Sequence, residues 1–300
     1  MSLYHFVAVY QVEVEKLVRK TLSLVGIALS VLFGLLGVLA TWGVNTALVS
    51  ASVQIQAGPG PGPYFKEPEH IANPQLYDLS HAVYTAFIMR SLLFVPVLIF
   101  ILGGLVFASE LQSRTLREDV LRPVPRWAIM VNKWLALFTW VVGAALATWV
   151  PATLGGAVLC GLPSEYLPTM THLVTTVVTD LGFASLALSI AVFSRSVTAT
   201  IASLVMIFVV QVGVAVGFSV FTQPVVQQNL EQVLHLPGGL WQRLFESAEL
   251  LSAWQPPFVL GTLPCLATES AAWPGYLTLT AMIVGSVGAA LVRFHRMDVP

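Results

Sequence analysis

Seven charged side chains crowd into SELQSRTLREDVLRPVPRW, residues 109–127 of a 300-residue chain that carries only fourteen basic and fifteen acidic residues. Within it, Thr115-Leu116-Arg117-Glu118 has the form of a capping box, in which a hydroxyl and a carboxylate satisfy orphan amides at a helix start. The pattern predicts a short helix from Leu116 to Arg122, stopped by Pro123 because the residue before a proline is pushed out of the helical region. Pro125 can then open the next helix in its first turn. On the short helix Leu116, Val120 and Leu121 share one face, while Arg117, Glu118 and Arg122 point elsewhere. A plug with an apolar tip and a charged rim suits a groove on a partner protein. Exposed ion pairs contribute only about 0–1 kcal/mol each, so the apolar side chains carry affinity and the charges orientation. The plainer reading is a solvated loop whose basic residues mark its side of a membrane.

A second pair stands out for the opposite reason. Asp180 and Arg90 each lie inside a long apolar run, where an ionisable group is costly enough to require a partner or a cavity. Their expected depths are similar, so one expectation is an ion pair between two membrane helices; another is a substrate-facing or proton-linked role for Asp180. Gly213 and Gly217 form G-x-x-x-G, which lets helices approach closely, either within one chain or as a seam between two copies. His70 and His81 flank Asp78, but no scaffold for a metal is evident around them.

Enzyme chemistry is not expected. The four lysines follow Glu15, Arg19, Phe65 and Asn132, so no G-K-[ST] element exists to cradle nucleotide phosphates. H-E-x-x-H, G-x-S-x-G and C-x-x-C are missing as well, and the six histidines are dispersed, so no catalytic residue, resident metal or cofactor is assigned. A net charge of -1 implies no bulk attraction to nucleic acid. Cys160 and Cys265 are two lone cysteines with no spacing logic, and whether they pair is left open.

The elements that must hold these residues are membrane helices. The chain is 56% hydrophobic and 10% charged, with a mean hydropathy of +0.81, whereas an ordinary soluble domain is roughly a quarter charged. Apolar runs reaching the ~20 residues needed to cross a bilayer occur near 22–43, 84–107, 134–158, 172–193, 197–221 and 276–292. The ~10-residue alternation of a transmembrane barrel is missing. The predicted fold is therefore all-α, a six-helix multi-pass domain over residues 1–300. The first run is longer than a secretory h-region and is expected to remain in the mature chain.

With both termini in the cytoplasm, eleven of the fourteen basic residues face it: Lys16, Arg19, Lys20, Arg114, Arg117, Arg122, Arg126, Lys133, Arg195, Arg293 and Arg296. The positive-inside rule selects this orientation in the cytoplasmic (inner) membrane. Residues 109–133 then make the one substantial cytoplasmic loop between spans. Ahead of the first span, Leu3, Phe6, Val7, Tyr10, Val14, Leu17 and Val18 recur at helical spacing, which predicts an amphipathic helix over 3–20 lying along the membrane surface, the plainer alternative being a helical extension of the first span. GPGPGPYF at 58–65 forbids regular structure in the first outer loop, expected from about 46 to 81. A long outer loop is expected over 222–274.

At this point the chain resembles a known family, the ABC type-2 permeases, the membrane subunits of a class of ABC exporters. These carry a glutamate at the end of the second span, a "GT" element, a short apolar helix, "P-x-x-R", and a lysine at the start of the third span. Glu110, Thr115, Leu116, Leu121, Pro123, Arg126 and Lys133 are similar in order, with Arg114 where the family's usual glycine stands. The ending LVRFHRMDV resembles the family's "F-x-R-R-D", with Phe294, Arg296 and Asp298 matching. The resemblance implies that residues 113–122 are a coupling helix docking into an ATP-binding subunit, with Glu110, Arg114, Thr115, Leu116, Arg117, Glu118, Val120, Leu121 and Arg126 as the docking region. It also implies ATP and Mg on that partner subunit alone, and pairing with a second permease copy or homologue, as in a homodimer. Two other classes stay open: a transporter driven by an ion gradient through Asp180, and a non-transporting membrane anchor that recruits a cytoplasmic partner.

Overall fold

The structure is a computed structural model that describes residues 3–56, 78–93, 95–112, 124–162, 167–207, 209 and 273–296. Among these, every regular element is a helix. They are α1 (Leu3–Val18), α2 (Thr21–Gln56), α3 (Leu79–Leu93), α4 (Val95–Gln112), α5 (Arg126–Leu159), α6 (Leu167–Ser194), α7 (Val197–Ile207) and α8 (Trp273–His295).

Four stretches are long and apolar enough to cross a bilayer: Thr21–Ala47, Arg126–Leu159, Thr169–Ser194 and Leu277–His295. The chain is thus an integral membrane protein, as a solvent without hydrogen-bonding capacity demands helices that satisfy their own backbone. Of the other two expected spans, the run at 84–107 is divided between α3 and α4 on either side of residue 94, and the run at 197–221 is described only as far as α7 and position 209. Pro96 falls in the first turn of α4, where its missing N–H has no helical partner to lose. Asp78 opens α3 as an N-cap: its Oδ1 accepts from the Ser80 amide at 3.0 Å and the His81 amide at 3.3 Å.

Element ends differ from the apolar runs because helices continue past the hydrocarbon. α2 runs to Gln56 and α3 starts at Leu79, both inside the expected first outer loop. α5 starts eight residues before the expected span, with Pro125 as its N-cap residue rather than its first helical one. The expected loop over 222–274 lies outside the described residues as far as 272, and its last two positions already belong to α8. The expected docking helix at 113–122, Gly213 and Gly217 also lie outside the described residues.

Three apolar clusters stack along the bundle. Ile99, Leu102, Leu137, Val141, Phe183 and Ala187 form the middle. Phe107, Ile129, Met130, Leu188 and Phe294 close one end, and Leu79, Val83, Phe87 and Ala152 close the other. Helix approach is set by small residues, as in membranes generally, where dispersion rather than water expulsion holds helices together. A Cβ added at Gly37 would collide with the Ala86 backbone, and one at Gly103 would come 2.5 Å from Ala187 Cβ. These two contacts bring α2 against α3 and α4 against α6 at near backbone distance. α1 and the carboxyl end of α8 lie at the same end of the bundle: Phe6 stacks on Trp127 with ring centroids 6.5 Å apart, and Arg126 Nη1 donates to the His295 carbonyl at 3.3 Å.

Candidate functional site: a buried charge node flanking residues 113–123

Lys133 sits two turns into α5 among apolar neighbours and is fully buried. A buried ammonium needs counter-charge and three acceptors, and the fold brings it two carboxylates from different helices. Its Nζ donates to Glu13 Oε2 on α1 at 2.9 Å and to Glu110 Oε2 on α4 at 2.6 Å. Lys16 closes the figure from the other side, its Nζ donating to Glu13 Oε1 at 3.1 Å and lying 3.5 Å from Glu110 Oε1. Two lysines and two glutamates thus make a neutral quartet that ties α1, α4 and α5 together. Lys20, between α1 and α2, adds a strut by donating to the Leu105 carbonyl of α4 at 3.0 Å.

The electrostatics follow from the geometry. Burial works against the charged form of Glu13, but Lys133 and then Lys16 outweigh it and hold its pKa below the ordinary carboxylate value. Burial pulls the Lys20 ammonium below the usual lysine value, and Glu110 offsets only part of this. Glu110 occupies the last turn of α4, and α5 begins at Arg126. The quartet therefore grips both helices that flank residues 113–123.

Of the expected docking residues, Glu110 and Arg126 are described. Glu110 joins the quartet, and Arg126 donates to the His295 carbonyl at the end of α8, where a cation satisfies a group that has no intrahelical partner. Arg114, Thr115, Leu116, Arg117, Glu118, Val120 and Leu121 lie outside the described residues. Glu13 was not singled out from the sequence, where it reads as a solvated charge on an amphipathic helix; in the fold it is 6% exposed. The available signal was the lone lysine in WAIMVNKWLALF, since a buried cation demands carboxylates that only the neighbouring helix ends can supply.

Deeper in the bundle, Arg90 of α3 and Asp180 of α6 lie together, Nη2 2.6 Å from Oδ2, both shut off from solvent. The contact is an ion pair by distance without hydrogen-bond alignment, and Arg90 Nε and Nη1 have no hydrogen-bond partner among the described residues. Thr176 and Thr179, within one turn of Asp180 on α6, likewise leave their hydroxyls unmatched. This is a polar layer with hydrogen-bonding capacity to spare, of the kind that ordered water fills.

At the far end, His81 Nδ1 is 2.9 Å from Asp78 Oδ1, His70 lies outside the described residues, and no group of three metal-ligating side chains occurs among the described residues. Cys160 is a buried free thiol; Cys265 lies outside the described residues.

No match is found among the curated proteins. The family model described as ABC-2 family transporter protein matches residues 7–299, the whole stretch from the amphipathic helix through the quartet to the basic carboxyl end. An integral membrane chain built this way, matched over nearly its full length, belongs to the ABC-2 transporter family.

Proposed function

We propose that the chain is the permease subunit of an ATP-binding-cassette exporter, working in the cytoplasmic membrane as one of a pair with a second copy or homologue. ATP is hydrolysed on a separate subunit that docks at residues 113–122. The observation that carries this reading is the Glu13–Lys133–Glu110–Lys16 quartet. It joins the surface helix α1 to the two helices between which the docking segment is strung. Force applied to that segment reaches α4 and α5 directly and α1 through the quartet, so the three helices shift together. ATP drives such a shift only to the extent that its subunit binds the two states of the permease with different affinity. Glu110, Arg114, Thr115, Leu116, Arg117, Glu118, Val120, Leu121 and Arg126 form the docking region in this reading, and Gly213 with Gly217 the seam between copies.

The ion-gradient alternative asks Asp180 to exchange its charge during the cycle. The 2.6 Å contact with Arg90 favours a standing pair instead. The anchor alternative is separated by partner recovery and transport together.

The full chain is solubilised from its host membrane and recovered with whatever it holds, comparing wild type with Leu116→Asp/Val120→Asp. An ATP-binding subunit should come with wild type and fall at least about tenfold in the variant, as expected when two apolar anchors of an interface are replaced by charge. A well-folded wild type that brings no ATP-binding subunit overturns the proposal.

A further inference from the structure

At the carboxyl end of α8, Gly288, Ala289, Val292, Arg293 and Arg296 recur at three- and four-residue spacing and make one face. Phe193, in the last turn of α6, stands opposite, and an open trough of about 380 Å3 lies between them. Its walls are apolar and outward-facing: Phe193 is 53% exposed and Val292 56% exposed. Its floor is bare at Gly288, where an added Cβ would meet nothing within 4 Å. The guanidinium groups of Arg293 and Arg296 have no ion-pair or hydrogen-bond partner among the described residues. Two unpartnered guanidiniums therefore sit at the head of a greasy groove that opens sideways from a membrane bundle.

The helix macrodipole favours basic residues in a last turn, but it does not require a trough lined with glycine and flanked by exposed apolar walls. We propose that the trough binds one anionic phospholipid, its phosphate between Arg293 and Arg296 and an acyl chain lying along Val292, Gly288 and Val284. The occupant follows from chemistry. Guanidinium matches phosphate oxygens in a planar fork, basic pockets between membrane helices select anionic headgroups, and the apolar walls give a chain something to cover that a soluble anion leaves bare. The site lies outside the charge quartet, and its test needs no ATP-binding subunit, so it stands or falls apart from the function proposed above.

The test is native mass spectrometry of the purified full chain in neutral detergent, titrated with phosphatidylglycerol, with phosphatidylcholine and inorganic phosphate as separate arms. Phosphatidylglycerol should bind one to a chain, tighter than phosphatidylcholine, and inorganic phosphate should not displace it. Arg293→Gln/Arg296→Gln should weaken phosphatidylglycerol roughly thirty-fold, the loss of two near-surface basic contacts. Gly288→Leu keeps both charges and fills the trough without a backbone clash, so it should also weaken binding and serves where the double variant fails to fold. Equal binding of the two lipids overturns the proposal, as does wild-type affinity in both variants. Displacement by inorganic phosphate overturns it in favour of a soluble anion site.

Discussion

Lys133 shows how one residue organises its surroundings. An ammonium with no solvent contact is tolerable only while Glu13 and Glu110 hold it, and breaking a buried pair from one side costs about 3–5 kcal/mol because the remaining charges are stranded. Lys133→Met should therefore lower the thermal unfolding midpoint of the detergent-solubilised chain markedly, and Lys133→Met with Glu13→Gln and Glu110→Gln should recover most of the loss. Recovery no better than the single variant would sink the quartet as the cause. The same site has a pH signature. Because the folded-state pKa of Glu13 lies below its ordinary value of 4.5, its contribution is fully present above that value and is lost as pH falls through the depressed folded value. Glu13→Gln should flatten the acid limb of a stability profile and leave the neutral region displaced but parallel.

At the scale of elements, the bundle uses small residues for approach and charges for register. Gly37 against Ala86 and Gly103 against Ala187 bring helices close but, being featureless, hardly specify which turn meets which. The Arg90–Asp180 pair supplies that between α3 and α6, since a charge shut inside a membrane tolerates few alternative neighbours. Asp180→Asn and Arg90→Gln should each destabilise the solubilised chain, while Asp180→Arg/Arg90→Asp should regain a substantial part of the wild-type midpoint. A swap as unstable as either single change would mean that the neighbouring hydroxyls of Thr176 and Thr179 matter more than the pair. The surface helix belongs to the same account. Leu17 enters the central apolar cluster and Glu13 the quartet, so α1 is docked on the bundle by a hydrophobic and an ionic contact, not simply laid on lipid.

For the whole molecule, the membrane orientation proposed from basic-residue bias has a direct check. α1, the quartet and the end of α8 share one end of the bundle, while Asp78, His81 and Cys160 belong to the other. Single cysteines at Arg19 and His295, in a chain with Cys160 and Cys265 replaced, should react with an impermeant maleimide only from the cytoplasmic side, and one at His81 only from outside. The reverse pattern would invert the topology and remove the docking proposal with it.

Helix class, membrane location and the existence of an amino-terminal helix were legible in the amino-acid sequence, because they depend on composition and on periodicity within one segment. Family resemblance was legible too, in the order Glu110, Thr115, Pro123, Arg126 and Lys133. The charge bias could suggest a pair between Arg90 and Asp180, since two buried opposite charges have few other ways to be neutral. What tertiary structure alone decided is which helices meet. Glu13 reads as a solvent-facing residue on its own helix wheel and becomes buried only because α5 delivers Lys133 to it across 120 residues of sequence. The trough between Phe193 and Arg293 likewise exists only where α6 and α8 converge. Local sequence sets the free energy of a segment in its solvent, whereas neutralising a buried charge or shaping a groove is a property of two or more segments in contact, and no single segment encodes it.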